Sequence, residues 1–225
     1  MKGLTEMGRE LDLMRHYPQS KGRTGKRSAI TEEDRAISRK FGEDYFDGDR
    51  KHGYGGFSYH PRFWTDTVKL FSEHYNLQDS SQILDIGCGK GFMIKDFSML
   101  LPKATILGVD ISDYAIGHAH SDIKESVSVA NATNLPFADD QFDLVIAINT
   151  IHNLDRSECI KALQEIERVS KGNSFVMVDG WQNESERIAL ESWVLTAKTM
   201  MSKSDWVSLF KEANYSGDYW FWIVS

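Results

Sequence analysis

Between residues 82 and 180, short apolar runs alternate with stretches whose apolar residues recur every three or four positions. The runs predict strands at 82–86, 105–110, 127–130, 142–148 and 174–179. Ile94, Phe97 and Leu101 mark one face of a helix after the first run, and Ser112 is placed to cap a helix after the second. Ile160, Leu163, Ile166 and Val169 mark a further helix over 157–170. The run at 142–148 is apolar enough to be buried on both faces. Strand and helix in strict alternation imply right-handed crossovers and a mainly parallel, doubly wound α/β sheet with helices on both faces.

The head of the chain follows another pattern. Thr31 precedes Glu32, Glu33 and Asp34, a helix cap followed by acids that oppose the helix dipole. Pro61 is suited to the first turn of the next helix, where Trp64, Val68, Phe71 and Tyr75 form an apolar stripe. Between them, 45–60 mixes aromatics, glycines and charges. Residues 20–28 have no apolar periodicity, and read either as a solvated tail or as a basic arm that orders over an anion. The expected division is a tail and helical or loop cap at 1–60, then the α/β domain at 61–225. Near the other end, helices are predicted at 184–201 and 205–213, the latter capped by Ser204, with a strand at 217–224.

Composition narrows the function. The chain has 225 residues and a formal charge of −7, which argues against phosphate-driven nucleic-acid binding. No apolar window is long enough to span a membrane, the first residues do not resemble a signal peptide, and two cysteines build no disulfide framework. The expectation is therefore a cytoplasmic protein with neither membrane nor nucleic acid as partner.

The candidate chemistry sits after the first strand. Gly87-Cys88-Gly89-Lys90-Gly91 joins strand to helix, where glycines let the backbone approach a ligand and the helix presents amide donors. Asp110 ends the second strand, where a carboxylate can accept from both hydroxyls of a ribose. A dinucleotide fingerprint starting at Gly87 needs glycine at position 92, which is Phe92, and no Walker turn is present.

Leu84 through Gly91 resembles the first motif of class I S-adenosylmethionine-dependent methyltransferases. Gly108-Val109-Asp110-Ile111-Ser112 resembles their acidic second-strand motif, and 131–143 resembles the segment leading into the fourth strand. The resemblance covers about residues 80–180. It implies a Rossmann-like fold, S-adenosylmethionine as cofactor and S-adenosylhomocysteine as product. By the same resemblance, Gly87, Cys88 and Gly89 face the methionine part and Asp85 holds its ammonium. Asp110 binds the ribose, Ile111 covers the adenine, Asn131 and Ala132 meet the adenine edge, and Asn149 lines the sulfonium pocket. The family closes its sheet with two further strands, the last antiparallel; few residues remain here for a complete seventh.

His152 follows the fourth strand at the edge where ligands bind, and reads equally as a general base or as a pocket wall. Cys88 reads as a small filler of the turn. The histidines offer no metal-ligand spacing, so no metal is expected. Tyr45, Tyr54, Gly55, Phe57 and Tyr59 read either as a lid or as packing over the sheet. The expected function is methyl transfer to oxygen or nitrogen of a small polar metabolite, with Arg50, Lys51 and Arg62 admitting an anionic one. A non-catalytic cofactor sensor or scaffold is the main alternative, and a nicotinamide oxidoreductase is disfavoured by Phe92. Oligomeric state is not legible.

Overall fold

The computed structural model describes residues 8–18, 30–55 and 58–224. The basic stretch at 20–28 and Phe57 lie outside these. In chain order the elements are α1 (Glu32–Ser38), α2 (Glu43–Phe46), α3 (Thr65–His74), β1 (Gln82–Ile86), α4 (Phe92–Leu100), β2 (Thr105–Asp110) and α5 (Asp113–Gly117). After a 3-10 turn at Ser121–Ser126 come β3 (Val127–Val129), β4 (Leu144–Ile148), a 3-10 turn at Ile151–Asn153, and α6 (Arg156–Val169). Then follow β5 (Ser174–Gly180), α7 (Glu184–Trp193), α8 (Lys203–Glu212) and β6 (Asp218–Ile223).

The strands form one sheet in the order β3-β2-β1-β4-β5-β6, with every pair parallel. This is the doubly wound α/β sheet that the alternation implied. Side chains alternate between its two faces, as strand geometry requires. Leu84, Val145, Ala147, Val176 and Val178 pack with α6 and α8 through Leu163, Ile166, Trp206 and Phe210. Ile83, Ile106, Leu144, Ile146, Phe175 and Met177 pack against α3 and α4 through Val68, Phe71, Ile94 and Phe97. The same two-residue period puts Asp85, Asp110 and Asp179 on this second face, each at or beside the carboxyl end of its strand.

The free edge of β6 is covered from the head of the chain. Glu10 bridges Tyr219 in parallel; Leu11 N donates to Tyr219 O at 2.9 Å and Tyr219 N to Arg9 O at 3.0 Å. Gly8 lies so close to Gly217 that a Cβ would run into its carbonyl. Leu13 and Met14 follow this strap into the core beneath the sheet. No antiparallel strand is present among the described residues. Thr31 caps α1 in a reciprocal box with Asp34.

Three local expectations need correction. The helix predicted over 184–201 ends at Trp193: Val194 turns extended, and the chain bends at Leu195 and Thr196, all three buried. Their backbone is satisfied by the head: Arg35 donates to Glu191 O at 2.7 Å and Val194 O at 3.2 Å, and Leu195 N donates to the Tyr54 hydroxyl at 2.8 Å. The next helix starts earlier than expected, with Ser202 rather than Ser204 as its cap. Pro61 opens a turn, and α3 begins only at Thr65. No helix among the described residues is long and apolar enough to cross a membrane.

The strap makes a clear stability prediction. Met14 is 1% exposed, so Met14→Ala should cost about 2–5 kcal/mol in urea unfolding. A change near zero would mean that residues 8–18 are an appended tail.

Candidate functional site

Three backbone positions with positive φ shape the turn between β1 and α4: Gly87 at 79°, Gly89 at 53° and Gly91 at 74°. At Gly87 there is a second constraint, since a Cβ would collide with the Thr150 side chain, whose hydroxyl donates to Ile86 O at 3.0 Å. The turn is tied to β2 by Gly87 N and Cys88 N, which both donate to Val109 O. Asp110 completes the tie. Its Oδ2 accepts from Gly89 N at 2.8 Å and its Oδ1 from Ser112 N at 2.9 Å. Cys88 is half-buried, and burial followed by the Asp85 and Asp110 charges raises its thiol well above the ordinary range, so it is no nucleophile at neutral pH.

Acidic groups dominate this edge. Asp85, Asp110 and Asp179 are all buried. Burial, reinforced by the Asp110 charge, pushes the Asp85 carboxyl up to about 8. Burial also raises Asp110, partly offset by its backbone donors, and Asp179, partly offset by His152. None of the three forms an ion pair with lysine or arginine among the described residues. Lys90, beside them in the turn, is held instead by both oxygens of Asp47. A glycine-rich turn whose one lysine is engaged by Asp47, beside buried carboxylates without a cationic partner, fits a polar ligand carrying positive charge. Ile111, which follows Asp110, is 54% exposed, and Val129, which pairs with Asp110 across β2 and β3, is 45% exposed. Each leaves apolar surface open next to the Asp110 position.

The other expected residues fall in different places. Asn131 accepts from Thr133 N and Oγ1, both at 2.9 Å, which leaves its amide nitrogen available beside half-buried Ala132. Asn149 has φ 53° at the end of β4, with its N–H on Met177 O and its carbonyl accepting from Asn153. A non-glycine residue in this conformation at a ligand-binding edge is a recurrent sign of function. His152 is buried, and its Nδ1 accepts from Asp179 N at 3.0 Å. The neutral ring then carries its proton on Nε2, and burial lowers its pKa.

The cap reaches the same edge. Phe46 lies against Gly89, Tyr114 donates to Asp47 at 2.8 Å, and Ser112 Oγ donates to Phe41 O at 2.5 Å. Tyr45 is wedged beneath. Burial raises its hydroxyl pKa, followed by the Tyr54, Asp110 and Asp179 charges, and Thr196 hydrogen-bonds to it. Tyr54 packs on Trp193 at 4.7 Å between centroids, and Gly55, at φ 87°, lies against the Arg50 guanidinium. Tyr59 is held against α4, where it donates to Asp96 at 3.1 Å and packs on Phe92 and His120. Sequence reasoning passed over Asp179, although an acid ending a buried strand is the signal that picked out Asp110.

Residues 83–173 match the family described as "Methyltransferase domain". This domain type uses S-adenosylmethionine, which agrees with the glycine turn and Asp110. Over 135 residues the chain is 36% identical to a tRNA (carboxymethyluridine(34)-5-O)-methyltransferase of Arabidopsis thaliana, covering 59% of this chain and 31% of that protein. Over 100 residues it is 36% identical to a malonyl-[acyl-carrier protein] O-methyltransferase of Legionella pneumophila, covering 43% and 34%. The chain thus spans about a third of the length of these relatives. The fold is shared with the YcgJ protein of Bacillus subtilis (TM-score 0.53, 23% identity, 65% and 66% covered). It is also shared with a SAM-dependent methyltransferase of Methanosarcina mazei (TM-score 0.52, 20% identity, 63% and 82% covered).

The raised carboxyl of Asp85 fixes the sign of a pH effect. The unfolded chain releases that proton near pH 4, whereas the folded protein keeps it until about 8. Ligand-free stability should therefore fall as pH rises across this window, by on the order of a few kcal/mol. In urea unfolding at pH 5 and pH 8.5, Asp85→Asn should lose clearly less than the wild type. Equal losses would show that Asp85 ionises without penalty.

Proposed function

We propose that this chain is an S-adenosylmethionine-dependent methyltransferase acting on an oxygen or nitrogen of a small polar acceptor. The observation that carries this reading is the three-glycine turn flanked by Asp85 and Asp110, two buried carboxylates without a cationic partner. An ammonium group suits Asp85. Ribose hydroxyls suit Asp110, which has lone pairs beyond its two backbone bonds. Ile111 and Val129 suit the adenine ring, with Asn131 and Ala132 at its edge, and Gly87, Cys88, Gly89 and Asn149 around the methionine part.

When bound, the cofactor supplies an electrophilic methyl group on a sulfonium. The chain's own contribution is alignment and exclusion of water, the main requirements of an in-line displacement. Tyr45, Tyr54 and Gly55 belong to the segment that closes the acceptor side, and His152 serves as its wall. With its Nδ1 lone pair engaged by Asp179 N, His152 is a poor general base. An anionic acceptor has less support than a neutral or cationic one. Lys51 is 3.6 Å from Asp34 and Arg62 lies over the Phe63 ring, while the buried charges at the edge are acids apart from Lys90, which is paired with Asp47.

A second reading has a specific observation behind it. Relatives in Arabidopsis thaliana and Mus musculus are named as tRNA methyltransferases, so a tRNA base is the rival acceptor, against which the net charge of −7 weighs.

Thermal unfolding tests the cofactor. At about 100 times its dissociation constant, S-adenosylhomocysteine should add about 2.7 kcal/mol, a rise of roughly 5–10 °C for a chain of this size. NAD should add nothing, and a shift with NAD alone would reverse the assignment. Asp85→Asn should weaken S-adenosylhomocysteine binding by roughly 10- to 100-fold, the loss of a charge-assisted hydrogen bond. Methyl-labelled cofactor should then label a deproteinised metabolite extract and not total tRNA; the opposite result would establish the tRNA reading, and label in neither a scaffold.

A further inference from the structure

Asp179 ends β5 on the same sheet face as Asp85 and Asp110, and its carboxylate is uncommitted. The residue is 5% exposed. Everything that Asp179 contributes to its surroundings comes from its backbone: its N–H donates to His152 Nδ1 at 3.0 Å and its carbonyl accepts from Trp206 Nε1 at 3.0 Å. The carboxylate has no hydrogen-bond donor among the described residues; its nearest ionisable neighbour is His152, with Nδ1 to Oδ2 at 3.8 Å. A buried carboxylate without a donor is costly to keep, and a hydrophobic or amide side chain would satisfy the same backbone contacts.

On the sheet Asp179 pairs with Trp222 of β6, which carries no titratable group. His152, from the 3-10 turn after β4, offers no free lone pair. Tyr45, from the cap, is kept protonated by burial, and the charges of both Asp110 and Asp179 act on its hydroxyl. Trp206, from α8, is engaged with the Asp179 carbonyl. Asp85 and Asp110 are accounted for by the cofactor reading; Asp179 is not.

We propose that Asp179 is the proton acceptor for the methyl-accepting group, which is accordingly a hydroxyl or a protonated nitrogen. The inference rests on the methyltransferase reading above. The acceptor's proton passes to the Asp179 carboxylate and from there to solvent, as the bond forms for a hydroxyl and before it for a protonated nitrogen, whose lone pair is thereby freed; the heteroatom then bonds the methyl carbon, and the methyl–sulfur bond breaks with its electron pair remaining on sulfur. Burial raises the carboxyl of Asp179, partly offset by His152, which makes it a stronger base than an exposed aspartate. The base acts when ionised, so transfer should rise with pH through its titration.

The test measures transfer from methyl-labelled S-adenosylmethionine to a deproteinised metabolite extract between pH 5 and 9, with wild type, Asp179→Asn and Asp179→Glu. Asp179→Asn preserves shape and both backbone contacts. It should lower the turnover rate about 10²- to 10⁴-fold and abolish the pH dependence, with the KM for the cofactor and the thermal shift with S-adenosylhomocysteine unchanged; Asp179→Glu should recover part of the rate. A carbon-13 NMR titration should show one carboxyl, missing in Asp179→Asn, that titrates above the ordinary aspartate range. Wild-type rate in Asp179→Asn overturns the proposal, as does loss of the S-adenosylhomocysteine shift in that variant, which makes Asp179 a structural or cofactor residue. A wild type that is shifted by S-adenosylhomocysteine yet labels no extract component overturns the small-acceptor reading itself, and the proposal with it.

Discussion

The bond from Gly89 N to the Asp110 carboxylate holds the site together. It ties the tip of the glycine turn to the end of the neighbouring strand, so the turn cannot drift away from the sheet. The other oxygen of the same carboxylate receives Ser112 N, and Ser112 in turn caps α5 and reaches the cap segment at Phe41. One side chain therefore connects the ligand turn, the start of α5 and the segment closing over both. Its burial makes these bonds strong, because a charged acceptor in a low-dielectric setting gains more from each donor than it does in water.

The same burial creates the tension that gives the site its character. Three carboxylates share one edge, and the protein supplies them with backbone amides and a histidine rather than with cations. The one lysine in the turn, Lys90, is turned toward Asp47 of the cap. Ligand-free, the edge relieves this by keeping protons on groups that would lose them in water. A cationic ligand would relieve it by replacing those protons, and its affinity would then be linked to pH through Asp85 above all.

Much of this was legible from residue order. The strand parity that groups Asp85, Asp110 and Asp179 is a two-residue period, and the turn follows from three glycines at fixed spacing. What escaped was set by partners distant in sequence. Val194, Leu195 and Thr196 leave helical geometry because Arg35 and Tyr54 satisfy their backbone, and no local signal announces an arginine some 160 positions earlier. Tyr59 shared the composition of the cap segment, yet its contact with Asp96 holds it against α4. Asp179 went unremarked because an acid after a buried strand also reads as the start of a loop; only its lack of any partner separates the two.

The strap along β6 has a consequence for how the molecule assembles. Arg9 and Asp218 are 209 positions apart, so one of the first described segments cannot take its place until the last strand has formed. Closing so long a loop is slow, and contacts of this kind lower folding rates. The cap that follows the strap, with Tyr45 and Asp47, is thereby left to dock late onto a sheet whose inner strands already pair. The inner pairs β1–β2 and β1–β4 close far shorter loops than the strap does, so loop-closure entropy favours forming the sheet edge before the strap seals β6.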